Sequence, residues 1–276
     1  EWQRYALAAA IATNAQIEGD DFANTTVTPT TRLSNSAQLA WYAFGVSGTQ
    51  QAMDHAGVKD EMAYQLVNYT KRLKRDMESQ ITQNKASSTG GTGTARVSGS
   101  LESWMSTNWT TTSSATSAAS PGFSTTGVVA PTDATTTVTV TEALVKAIMR
   151  LCYTEGGNPD TLMVGPFQKT KVAAFAGISS TQFQTQTKGE QATIVAGADT
   201  YVGDFNTFKI VPNRFSRERT ILVLDLEYWG IAYLRKFQKE KLAKTGDADR
   251  MAILSEYTLV GKNEAASGKV VDCTTS

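Results

Sequence analysis

One histidine, His55, and two cysteines, Cys152 and Cys273, are all that this 276-residue sequence offers of the side chains most used for metal binding and nucleophile activation. A single imidazole excludes every metal cluster built on several. It also makes a Ser-His-Asp triad depend on one residue beside Asp54 and Gly57, in a chain without a Gly-x-Ser-x-Gly nucleophile elbow. Two cysteines cannot form a disulfide framework. Cys152 falls among Leu144, Ile148 and Leu151 as a small buried hydrophobe would, so both thiols are expected to be reduced and structural. Charge excess of either sign is missing as well: Lys plus Arg and Asp plus Glu stand at 26 each, unlike a dedicated nucleic-acid binder. No run approaches the roughly 18 consecutive apolar residues of a membrane span, so no membrane partner is expected. The chain opens Glu1-Trp2-Gln3 without an initiator Met, and an upstream segment is expected.

What is present suffices for a sizeable core: 41% of residues are hydrophobic and 19% charged, which fits one large domain or two intimate smaller ones. Residues 1 to 50 lack a helical period after Ile11, and Leu39, Trp41, Ala43 and Val46 have the partial alternation of a strand, so an extended arm or hairpin is expected there. From Lys59 to Gln83, Met62, Leu66, Tyr69, Leu73, Met77 and Ile81 recur at spacings of three and four, with Lys71, Lys74, Arg75 and Glu78 off the stripe. That pattern predicts a long amphipathic helix.

After Asn84 the composition turns to Ser, Thr, Gly and Ala, with a second such tract from Thr110 to Thr139. Leu101, Trp104, Met105 and Trp109 between them should pin the segment to the body, leaving Gly90 to Gly93 as its most mobile part. Thr141 as N-cap, Glu142 in the first turn, and a stripe of Leu144, Val145, Ile148, Leu151 and Cys152 stopped by Gly156-Gly157 predict a second helix. Thr161 to Val164 reads as a buried strand, and Pro166 opens a third helix ending near Gly177. A hairpin is expected about Gly203, Asp204 and Asn206, a buried strand at Ile221 to Leu224, and another around Ile231, Tyr233 and Leu234. A last one covers Ser255 to Asn263. Long helix mixed with sheet, without a repeated βαβ rhythm, points to an α+β class.

Candidate chemistry is sparse. Gly90-Gly91-Thr92-Gly93 lacks the Gly-Lys-Ser/Thr ending of a phosphate loop, and neither Asp20-Asp21 nor Asp247 with Asp249 has calcium-loop spacing. No catalytic, cofactor or metal residues are therefore assigned. The basic run Lys71-Arg72-Leu73-Lys74-Arg75 admits three readings: a solvated face with i to i+4 ion pairs, a subunit contact, or a weak phosphate-facing patch. Five tryptophans without a recognisable site are best explained by burial against self or neighbours.

Several segments resemble the major capsid proteins of tailed bacteriophages with the Hong Kong 97-type fold. They are Glu1-Trp2-Gln3, Ile17-Glu18-Gly19-Asp20, Val46-Ser47-Gly48-Thr49, and Asp60 to Gln65 running into Leu73 to Glu78. Later come Val211-Pro212-Asn213-Arg214, Leu222 to Asp225, Glu227-Tyr228-Trp229, Leu242 to Asp247, and Tyr257-Thr258-Leu259 with Asn263-Glu264. They lie in order over most of the chain, and the Thr-rich middle is least similar.

The resemblance implies an extended loop over residues 1–45, with an N-terminal arm upstream. A peripheral domain would take 46–139 with a spine helix at 59–83, a mainly axial domain 140–245, and a C-terminal return to the periphery 246–276. It implies a non-enzymatic subunit without cofactors that assembles with itself into hexamers and pentamers of an icosahedral head enclosing double-stranded DNA. Portal, scaffolding or decoration proteins and weak contact with packaged DNA would be its partners, and its place the virion capsid, assembled in the bacterial host cytoplasm. The alternatives are the shell of an encapsulin-like nanocompartment, a secreted Ser/Thr-rich adhesin, and a hydrolase with an unrecognised site.

Overall fold

Two units make up the chain, Glu1–Ser34 and Asn35–Ser276. The computed structural model describes residues 1–5, 10–21, 24–53, 57–110, 122–124, 127–175 and 199–275. In the first unit, β1 (Trp2–Arg4) pairs antiparallel with β2 (Thr31–Leu33), setting Trp2 opposite Leu33. Between those strands the described residues are exposed, Ile11, Ile17 and Val27 among them. Among the described residues the expected hairpin is thus paired only at its ends.

The second unit begins with β3 (Gln38–Ser47), the short α1 (Gly48–Ala52) and α2 (Glu61–Thr82). Asp60 caps α2, its Oδ1 accepting from the Ala63 N–H at 3.1 Å, and 22 residues give a rod of about 33 Å. Leu73, Met77 and Ile81 are buried as their spacing requires, while Met62, Leu66 and Tyr69 are half-buried. Next come α3 (Leu101–Trp104), β4 (Trp109–Thr110), and the ribbon of β5 (Gly122–Ser124) and β6 (Gly127–Val129). Leu101, Trp104 and Met105 are buried as anchors, with Trp104 stacked on Phe123 at 5.5 Å.

The remaining elements are α4 (Glu142–Thr154), β7 (Thr161–Val164), α5 (Pro166–Ala173), β8 (Thr200–Val202) and β9 (Thr207–Pro212). After them come β10 (Ile221–Leu224), β11 (Trp229–Leu242), β12 (Ala248–Gly261) and β13 (Gly268–Val270). Helix α4 ends as expected at Gly156, whose φ of 81° is the left-handed turn of a Schellman cap: Gly157 N–H donates to Cys152 and Gly156 N–H to Tyr153. Thr141 is the N-cap as expected, without a side-chain cap bond, and one detail is corrected: Met149 is buried while Leu151 is exposed, because the sheet faces the Val145, Ile148, Met149 and Cys152 side of the helix. Helix α5 starts at Pro166, and its last described turn closes at Ala173; Gly177 lies outside the described residues.

Two sheets dominate. The larger has the order β4-β13-β10-β7-β9-β8, mixing parallel (β4/β13, β7/β9) and antiparallel neighbours. One face meets α4: Ile148, Met149 and Cys152 pack with Ile221, Val223, Val270, Leu162 and Phe208. Gly268 is required by that approach, since a Cβ there would lie 2.6 Å from Ile148 Cγ2. Lys269, pointing to the opposite face, donates to the Glu102 carbonyl of α3 at 2.7 Å. The smaller sheet is an antiparallel β11-β12-β3, in which Trp41 sits opposite Leu254 and Phe44 opposite Met251.

Candidate functional site

In β3 the alternation is real, but of the four residues that suggested it only Val46 is buried. Tyr42, Phe44 and Val46 turn toward α2, where Tyr69 stacks on Phe44 at 4.7 Å, and Leu39 and Trp41 face outward with Trp41 61% exposed. Both faces of this strand carry apolar residues, and only the position of α2 decides which is covered. Strand β11 extends the same pattern. It pairs with β12 on one side and lies at the sheet edge, with Ile231, Tyr233 and Leu234 exposed. Its register breaks between Tyr233 and Gln238, and Lys236, Lys239 and Lys241 follow. Bulges and lysines protect an edge strand from pairing; the stretch from Gly230 to Tyr233 has neither, and the first bulge falls at Leu234.

Charge is concentrated in two places. The first is buried: Glu102, 1% exposed, accepts from Arg217 and from Thr220 Oγ1, each at 3.0 Å, while Arg217 also meets Asp133 at 2.5 Å. Arg219 bridges Asp272 at 3.1 Å and the Ala134 carbonyl at 2.5 Å. Burial raises the Glu102 carboxyl above the ordinary range, and burial lowers the Lys269 ammonium to about 8. This network ties α3, the loop before β10, residues 133–134 and the C-terminal segment together. No pattern in the sequence announces it, since Glu102, Arg217 and Lys269 are far apart in the chain. Glu256, between Arg96 (2.6 Å) and Arg235 (3.0 Å), is a smaller version on the other sheet.

The second place is the run 71–75 on α2. No ion pair joins Lys71, Arg72, Lys74 or Arg75 to a carboxylate among the described residues, so the solvated face with i to i+4 pairs is not what forms. The cations lie over rings instead: Arg72 over Tyr42 at 4.5 Å, Arg75 over Phe215 at 5.6 Å, Lys74 over Phe237 at 5.8 Å.

Among the remaining sequence candidates, Gly90 to Gly93 closes a turn through a Gly91–Thr94 bridge with no strand or helix placed for a phosphate cradle. Asp249 pairs with Lys244 at 2.9 Å, and Asp20 and Asp21 are exposed. No group of three or more His, Cys, Asp or Glu side chains suited to a metal occurs among the described residues. His55 lies outside them. Cys152 and Cys273 are free and buried, and burial pushes both thiols up to about 12. No described helix is long and apolar enough to cross a membrane.

A chain with a packed sheet body, a long helix under a second sheet and exposed apolar edges has its matches among shell proteins. The family described as SU10 major capsid protein matches residues 1–274. The chain belongs to that family. The major capsid protein of Escherichia phage Phieco32 is 25% identical over 97% of this chain and 83% of its own length. Solved structures share the fold at low identity. The cyanophage A-1(L) capsid asymmetric unit gives a TM-score of 0.66 at 12% identity, covering 96% of this chain and 85% of that one. Microbacterium phage Oxtober96 gives 0.57 at 10%, covering 98% and 84%. The SrpI encapsulin of Synechococcus elongatus PCC 7942 gives 0.54 at 10%, covering 91% and 78%. The fold is the Hong Kong 97 type, as the sequence resemblance implied. An encapsulin shares it, so the fold alone does not separate phage shell from nanocompartment; the family match does. This is a tailed-phage major capsid protein, a component of the virion shell that assembles with copies of itself.

Proposed function

We propose that this capsid protein closes an icosahedral head of hexamers and pentamers around double-stranded DNA without catalysing any reaction. Residues 1–45 serve as the extended loop, with β3 as its root in the β11-β12-β3 sheet. Residues 46–139 form the peripheral domain with α2 as spine helix, 140–245 mainly the axial domain, and 246–276 the return to the periphery. Assembly takes place in the bacterial host cytoplasm, with portal, scaffolding or decoration proteins as further partners and weak contact with the packaged DNA.

One observation carries the layout. The described residues between β1 and β2 expose Ile11, Ile17 and Val27 without a core of their own. Apolar side chains left in water at that density are expected to be covered by another copy, as in obligate assemblies. The triple substitution Ile11→Ser, Ile17→Ser and Val27→Ser in the full chain should give folded capsomers that fail to close. Normal particles in electron micrographs of that variant would remove the extended loop from the list of assembly elements.

A further inference from the structure

Along α2, Asn68, Lys71, Arg72, Arg75 and Ser79 recur at spacings of three and four and so line one side of the helix. With Asp76 and Phe215 they form an open groove of about 490 Å³. We infer that this groove is a phosphate-binding site for the backbone of packaged double-stranded DNA. The inference rests on the reading that the shell encloses DNA, and it assigns that contact to named residues.

Three features carry it. The lining holds three cations and one carboxylate, Asp76, whose Oδ2 already accepts from the Tyr42 hydroxyl. Glu78, the next acid on the helix, accepts from Asn213 at 2.5 Å. Among the described residues no carboxylate lies within ion-pair distance of the groove's cations, unlike Arg217 or Arg235 elsewhere in the fold, and three cations against one carboxylate leave the lining net positive.

Second, the guanidinium groups of Arg72 and Arg75 are placed over the Tyr42 and Phe215 rings, which fixes them in advance and leaves their N–H edges for oxygen acceptors. Third, the neutral lining residues Asn68 and Ser79 are hydrogen-bonding, and no aliphatic side chain lines the groove. Two arginines and Phe215 would suit a protein interface, but Lys71 and the lack of an aliphatic centre would not, whereas protein–DNA interfaces are polar and positive as this lining is. That contrast favours DNA over a second protein chain. Lys71 to Arg75 rises about 6 Å along the helix, a length over which an aligned duplex presents about two phosphates on one strand and three to four on both strands together.

The test is salt-dependent binding of a short random-sequence duplex to capsomers of the full chain, compared with Lys71→Gln/Arg72→Gln/Arg75→Gln. Losing three phosphate contacts should flatten the slope of log affinity against log salt by about 2.7, so that the variant escapes a further loss of about 40-fold between 50 and 200 mM salt. Because Arg72 and Arg75 also lie against rings, Lys71→Gln alone serves as the variant that disturbs no stacking, and it should flatten the slope by about 0.9.

Unchanged affinity and slope in both variants would overturn the assignment. So would polyglutamate competing more strongly than duplex at equal charge, which would make the groove a site for an acidic protein segment. Variants that bind duplex normally but cannot form shells would overturn it too, in favour of a subunit contact. If wild-type protein never forms shells while its capsomers show the expected slopes, the enclosing-shell reading fails and the phosphate site stands.

Discussion

The two sheets of the Asn35–Ser276 unit are finished to different degrees. In the six-stranded sheet, β10 is buried at all four residues, with Ile221 and Val223 against α4 and its neighbours, and even the charged Lys269 is enclosed. In the three-stranded sheet only β12 reaches comparable burial; β11 is exposed over most of its fourteen residues, and β3 is covered on one face. The first region buries its central strands and ion-pairs its buried Glu102 and Asp272 within one chain, with Val202 and Phe205 left exposed toward its β8 edge. The second leaves an edge, an outer face with Trp41, and a helix whose cations lie over rings with no ion pair among the described residues. For a subunit whose function is assembly, the division is physical: one region folds the monomer, and the other is completed by what surrounds it.

The comparison breaks most easily in the larger sheet. Ile148 is fully buried between α4 and the sheet, so Ile148→Asp places a carboxylate in that core with no cation to meet it. A cost of about 4–5 kcal/mol or more is expected, enough to unfold a marginally stable domain. Insoluble protein, or loss of the cooperative urea transition, is the expected result; a soluble variant with a native transition would mean that this core does not govern folding.

The next effect sharpens the contrast through its buried charge. Lys269 has a folded value of about 8, below its ordinary 10.5, because burial disfavours the ammonium. Between those values the unfolded chain holds the proton and the folded chain does not, so this group's contribution makes stability rise with pH from about 8 to 10.5, by about 3 kcal/mol in all. Glu102 acts oppositely at lower pH: its raised carboxyl keeps a proton that the unfolded chain loses, so stability falls as pH rises above the ordinary carboxylate value. Cys152 and Cys273, pushed up to about 12, also lower stability as pH rises above about 9. The readout is therefore the difference in urea unfolding free energy between wild type and Lys269→Met from pH 7.5 to 10. That difference should move in favour of wild type as pH rises, and a constant difference would show that Lys269 is not desolvated in solution.

Much of the self-contained region was legible in the sequence because local pattern and tertiary packing agree there. The Thr141-to-Gly157 helix, the Thr161 to Val164 strand and the Ile221 to Leu224 strand all announce themselves by period and punctuation. The errors come where a partner element decides. Met149 and Leu151 are equally apolar, and only the sheet beneath α4 selects between them. In β3, Leu39 and Trp41 alternate as well as Phe44 and Val46, and α2 selects the second pair. The full length of β11 was hidden because its second half, Arg235 to Leu242, alternates charge with little else. Candidate surfaces were less legible still. The ion-pair-free state of residues 71–75 depends on Tyr42, Phe215 and Phe237, which come from three other segments.

The smallest effect on the monomer bears most directly on what the second region is for. Trp41 opposes Leu254 across the strand pair, yet 61% of it remains exposed, so Trp41→Ser should change folding stability by no more than about 0.5 kcal/mol. Assembly should respond differently. A tryptophan buried at the centre of an interface typically contributes about 2 kcal/mol or more, which is about 30-fold in each association step. Light scattering against protein concentration should therefore show Trp41→Ser capsomers closing only well above the wild-type threshold, while their urea transition stays in place. An unchanged threshold would leave the outer face of β3 in solvent in the finished shell. The incompleteness of the three-stranded sheet would then be confined to the Gly230 to Tyr233 edge, where neither a bulge nor a lysine guards the strand.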